Sequence, residues 1–257
     1  MSEFVTGTRL RLAELTRQPF TLVLLLVLPP TVIEMYGVAL DSFPQLPGLT
    51  ADAATMGRMT GALFAVAFLA GLVGLFQVIS ARRGDERLAI AGVSRWVLLS
   101  TRLVTMLVVA LAGTAVAFAV FTYRVDVAAP ALAAGVLVLA ALVYGLLGLV
   151  VGTVLPRELE GSIVLVFLAD MDNALSSGLF DVGTSVSLPV LGSVSVTDFV
   201  PLYHPHELFS AAVLEGTLAS EHLLPVAGWL VVLLAVAFLA YGHSTGENGG
   251  LLGVMSA

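Results

Sequence analysis

Cysteine is absent from this 257-residue chain, and lysine is absent too: all eleven basic residues are arginine. Without cysteine there is no disulfide framework, no thiolate nucleophile and no cysteine metal site. Without lysine there is no phosphate loop of the form GxxxxGK[ST]. Charge of either sign is scarce, at 11% of residues, against about 25% in soluble domains. Apolar residues make up 58% of the chain, and the mean hydropathy is +1.02. This composition predicts an integral membrane protein. At ~20 apolar residues per span, the length allows about six spans and leaves no room for a soluble catalytic domain. The net charge of −7 places most acids outside the spans.

The scarce charge is concentrated. Ala81–Leu103, ARRGDERLAIAGVSRWVLLSTRL, holds Arg82, Arg83, Arg87, Arg95 and Arg102 with Asp85 and Glu86, between two long apolar runs. Such a patch must sit in water, and its arginine excess places that water on the cytoplasmic side. Leu88–Ala91, between Gly84 and Gly92, suits a short helix against the membrane surface. The patch reads as a docking element for a cytoplasmic partner, or as an ordinary solvated loop.

Along the chain, Phe4, Val5, Thr8, Leu12 and Leu15 share one stripe at helical spacing, predicting an interfacial helix over about 3–18. A signal peptide with Phe20–Leu28 as its core and Gly37-Val38-Ala39 as its cleavage site is the competing reading. Acids before the core and Pro29-Pro30 behind it argue against that. Spans are expected at about 20–40, with a proline kink, and at 57–79, 96–123, 129–155, 161–180 and 223–241. Gly57/Gly61, Ala67/Gly71 and Gly148/Gly152 are small residues four apart, which allow close helix contact. Thr184–Val196 alternates polar and apolar residues around Leu191-Gly192, a hairpin signal. Pro201–Pro205 should break the chain. His206–Leu218 reads as a helix too short to span, within a re-entrant or interfacial outer region at about 199–219. With the N-terminus inside, nine of the eleven arginines fall in the cytoplasm, and only Arg58 and Arg124 lie outside.

Asp170, Asp172 and Asn173 fall at roughly half membrane depth in the fifth span, where an ionised carboxylate costs roughly 2.5–3.5 kcal/mol. They read as a polar patch in a translocation path, or as an outer vestibule if the helix ends early. His204, His206 and Glu207 suggest metal ligands, but Pro205 separates the histidines and no metal is expected. No nucleophile–base–orienter set stands out; Ser176 and Ser177 near Asp172 are weak evidence of hydrolysis. No catalytic residue is assigned.

Together these pieces resemble the permease subunits of ABC exporters of the ABC-2 type. The residues carrying the resemblance are the interfacial helix before the first span, the loop RRGDERLAIAGVSRWVLLSTRL, the short turn PRELE, and FVPLYHPHELFSAAVLEG before the last span. The family often has proline where this chain has Gly92, or a longer acidic run before the short helix. The resemblance implies an all-α integral membrane protein. It has six transmembrane helices, an N-terminal interfacial helix, a cytoplasmic coupling helix within about 81–95 and a re-entrant outer segment. It implies Arg82, Arg83, Asp85, Glu86 and Arg87 as contacts to a separate ATP-binding subunit that carries ATP and Mg, with no cofactor in this chain. A second permease copy or paralogue, the lipid bilayer and no nucleic acid complete the expected partners, in the plasma membrane with both termini cytoplasmic. The competing functions are a secondary transporter or channel using Asp170 and Asp172, and an intramembrane enzyme built on His204–Glu207.

Overall fold

The computed structural model describes residues 5–10, 13, 17, 19–43, 51–178, 185–188 and 192–244. Residues 5–10 are helical (α1), within the expected interfacial helix. Then follow α2 (Pro19–Asp41), α3 (Ala53–Ile79), α4 (Arg82–Ile90), α5 (Arg95–Arg124), α6 (Pro130–Val154) and α7 (Glu158–Ser176). A hairpin of β1 (Ser185–Leu188) and β2 (Gly192–Ser195) leads through a 3-10 turn, Val196–Phe199, into α8 (Tyr203–Ser210). A π turn, Ala211–Glu215, a 3-10 turn, Ser220–His222, and α9 (Leu223–Ser244) complete the order.

Among the described residues, five helices are long and apolar enough to cross a membrane: α2 from Leu22, α3, α5 from Trp96, α6, and Ser220–Ala240. The expected fifth span, α7, is not among them. It has 19 residues and carries Glu158, Glu160, Asp170 and Asp172. The two glutamates, expected in a turn, form its first helical turn, and it ends at Ser176 rather than near 180.

Helix α3 is the centre of the molecule, and its span is 78% buried. Backbone contact makes that burial possible. A Cβ on Gly148 of α6 would collide with the Gly71 carbonyl, and one on Gly57 would collide with the Tyr36 carbonyl of α2. Overpacking of this kind costs about 1–3 kcal/mol. The small residues spaced by four therefore lie at the α3–α6 and α2–α3 contacts. Asp52 caps α3, its carboxylate accepting from the Thr55 N–H at 2.9 Å, a contact typically worth about 1 kcal/mol. The outward faces of α2 and α9 are apolar, exposing Val23, Leu26, Val27, Leu224, Val231 and Leu239. Water would not tolerate such stripes, and lipid does.

Helix α2 carries both prolines within it and runs to Asp41. Two local expectations shift. The hairpin pairs Ser185 with Ser195 and Leu188 with Gly192, so Gly192 opens the second strand, and the turn between the strands lies outside the described residues. The short helix starts at Tyr203, not His206, because Pro205 falls in its first turn, where a missing N–H does no harm. Gly216, at φ 70°, ends the π turn in a left-handed conformation, which glycine adopts without steric cost.

Candidate functional site

Helices α4 and α8 lie at opposite ends of the bundle. At one end, the Arg82 guanidinium donates to the Gly152, Thr153 and Leu155 carbonyls at 2.9, 3.3 and 3.3 Å. These are carbonyls that the end of α6 leaves unpaired, and a cation is favourable there. Asp85, 1% exposed, accepts from Arg102 of α5, with Nε at 3.1 Å and a further bond from Nη2. Arg102 also donates to the Gln77 carbonyl of α3. Trp96 stacks on Phe238 of α9, ring centroids 3.7 Å apart.

These contacts divide the expected partner-binding set. Arg82 and Asp85 turn inward and fix α4 to α5 and α6. Arg83 and Arg87 point outward, beside Leu88 and an Ile90 that is 87% exposed. Glu86 lies on the same helix. The result is a short, firmly tied helix whose free face mixes two arginines with two aliphatic side chains.

The polar group of α7 divides the same way. Asp172 is buried and accepts three hydrogen bonds: from the Tyr144 hydroxyl of α6, from the Ser176 hydroxyl at 3.0 Å, and from the Leu202 N–H at 3.0 Å. All three partners donate, which suits an ionised, acceptor-only carboxylate. Asp172 stands fourteen residues beyond Glu158, about 20 Å along the helix. It therefore draws the chain entering α8 down into the bundle. Asn173 is buried beside it, and its Oδ1 has no hydrogen-bond partner among the described residues. Asp170 does the opposite. It is exposed, on a face with Ile163, Val166, Phe167 and Met171, which are also exposed.

The re-entrant segment has further ties. The Ala128 and Ala129 N–H groups donate to the Val213 and Ala212 carbonyls, each at 3.0 Å. Phe209 packs on Phe121 of α5, centroids 5.3 Å apart. His204 meets His222, Nδ1 to Nδ1 at 2.9 Å. His206 is buried with its Nε2 unpartnered among the described residues, and burial pushes its pKa down to about 4. No group of three or more metal-ligating side chains occurs among the described residues.

Sequence reasoning missed three members of this framework. Tyr144 reads as one more aromatic in an apolar run, and nothing in its spacing points to Asp172. His222 lies eighteen residues from His204, beyond any motif. Glu34 was detectable, because it is the only charge inside the first apolar run. It bridges α2, α3 and α5 through Arg124 at 2.7 Å and Arg58 at 3.5 Å, the two arginines that the charge pattern set apart.

Comparison with protein-family models and with curated proteins finds no match.

Proposed function

We propose that this chain is the membrane-spanning permease subunit of an ATP-driven exporter resembling the ABC-2 type, working as a dimer with a second permease and with separate ATP-binding subunits. The observation that carries this reading is α4. A nine-residue helix between two long apolar helices is tied to α5 and α6 on one face and presents Arg83, Arg87, Leu88 and Ile90 on the other. A solvated loop needs no such ties. A helix that receives a push and passes it to the spans does. In this reading α7 is the fifth of six spans, with Asp170 facing the path and Asp172 holding the re-entrant segment. The saturation of Asp172 by three donors disfavours a channel or secondary transporter that would titrate or load that carboxylate.

Topology is tested first, on a chain that lacks native cysteine. A cysteine at Ser42 should react with an impermeant thiol reagent in intact cells, and one at Ser94 should not. Association is tested by co-purifying the tagged chain from its native membrane and identifying what remains bound. A copurifying ATPase that is lost from an Arg83→Glu/Arg87→Glu variant supports the reading. Reaction at Ser94 from outside, or a chain that transports without any ATPase, overturns it.

A further inference from the structure

We propose that His204 and His222 form a proton-sharing clamp that fastens the re-entrant helix α8 to the entry of α9, and that this clamp tightens on mild acidification. The inference stands on the geometry of these two elements and does not depend on the transport reading.

His204 Nε2 lies 3.0 Å from the Asp198 carbonyl oxygen, and His204 Nδ1 lies 2.9 Å from His222 Nδ1. A carbonyl only accepts, so His204 Nε2 carries a hydrogen. In the neutral ring its Nδ1 is then an acceptor, and His222 donates from Nδ1–H. His222 is left with a free lone pair at Nε2, where the next proton goes. That proton turns the contact into an imidazolium donating to an imidazole, and such charge-assisted bonds are roughly twice as strong as neutral ones. One proton more would put a hydrogen on both facing nitrogens and break the bond. The rings therefore titrate as a pair, in two separated steps.

The surroundings agree with those roles. Burial, the largest influence, pulls His204 below the ordinary imidazole range, and the charge of a protonated His222 adds to this. The Asp198 carbonyl and carboxylate, on the 3-10 turn before α8, act the other way. Tyr203 sits edge-on to both rings, at 5.2 and 6.0 Å, with Glu207 of α8 near it. Glu221 precedes His222 on its own turn and is exposed. Of the other elements against α8, α7 offers Asp172 and α6 offers Tyr144, which are bonded to each other. The π turn offers Glu215, which accepts from Thr217. On α3, Arg58 is paired with Glu34. The grip of the clamp rises when the pair takes up its first extra proton and is lost only when the second is forced on at lower pH.

The test uses the full chain in detergent micelles with ring-15N histidine, which labels only four residues. Ring-nitrogen shifts are followed from about pH 8 to about pH 4, across the histidine range. The expected result is Nε2–H on His204 and Nδ1–H on His222 at high pH, then two separated steps as pH falls. His222→Gln should abolish the first step and raise the His204 titration, because the neighbouring positive charge is gone. His222→Phe keeps a ring beside Tyr203 and should leave His204 without its donor, which serves if the glutamine variant folds poorly. Two independent titrations near the ordinary value overturn the clamp, as does a His204 signal indifferent to either substitution.

Discussion

Helices α4 and α7 place charge in similar ways and hold it differently. Each turns one acid inward, Asp85 or Asp172, and leaves another charge outward, Arg87 or Asp170. Asp85 meets a buried cation, Arg102. Asp172 meets three neutral donors. Losing one member of a buried ion pair strands a full charge, whereas losing a carboxylate from neutral donors strands only hydrogen bonds. The inward residues therefore govern folding, the outward ones are free to act on something else, and the two inward sites should fail by different amounts.

The largest effect is expected at Asp85. Asp85→Ala takes the Asp85 carboxylate away from the buried Arg102 guanidinium, which costs about 3–5 kcal/mol. Thermal unfolding in detergent should show it. Pairing Asp85→Leu with Arg102→Met should restore most of the stability, because a well-packed apolar pair avoids the desolvation altogether. A single variant that melts like the parent would remove the distinction between the two sites.

Asp172 comes next. Asp172→Leu leaves the Leu202 N–H without its acceptor, at about 1–3 kcal/mol, while the Tyr144 and Ser176 hydroxyls are free to rotate toward other acceptors. The damage should be local, with faster hydrogen exchange across 202–210 while α3 and α6 stay protected. Asp172→Asn should cost less, because its amide oxygen still accepts. Uniform loosening of the whole bundle by Asp172→Leu would show that this carboxylate supports more than the re-entrant segment.

Asp170 should behave as the converse of Asp172. It is exposed on α7, so Asp170→Asn should shift stability by no more than about 0.5 kcal/mol. If its face lines a path, transport changes while expression and melting do not. Phe167, 64% exposed on the same face, gives the control: Phe167→Ala alters the path without altering charge. Unchanged transport in both variants assigns this face to lipid or to packing.

Much of this architecture was legible in the sequence, and what escaped has a common cause. Long apolar runs and clustered arginines identify membrane helices because hydrocarbon penalises every unpaired charge. Small residues spaced by four identify close contacts because the period of the helix aligns them. A short helix was expected over Leu88–Ala91, between two glycines; α4 instead begins six residues earlier, at Arg82, runs through Gly84 and ends at Ile90. Direction was not found: Arg82 and Arg83 are neighbours, yet one caps α6 and the other faces out. A rotation of ~100° per residue separates them, and only the packed partners say which way is in. The bounds of α7 were obscured for a related reason. Glu158 and Glu160 look like a turn, but acids are favourable in the first turn of a helix.

The smallest expected effect on folding belongs to the outward face of α4, and it tests the comparison most sharply. Arg83 and Arg87 are exposed, so reversing both to glutamate should alter stability by no more than about 0.5 kcal/mol. Ile90 is exposed as well, and Ile90→Asp removes an apolar side chain that buries little in the free subunit. The melting curves of these variants should overlay the parent, in contrast to Asp85→Ala two residues away from Arg87. At an interface the same changes set like charges against the partner, which costs several kcal/mol, and every 1.4 kcal/mol is a tenfold loss of affinity. Co-purification of a cytoplasmic partner should therefore fall by well over tenfold while the amount of folded chain in the membrane stays constant. If Asp85→Ala and Arg83→Glu/Arg87→Glu lower stability alike, the inward–outward division of α4 is wrong. If the charge reversal changes neither stability nor association, the free face of α4 meets only water.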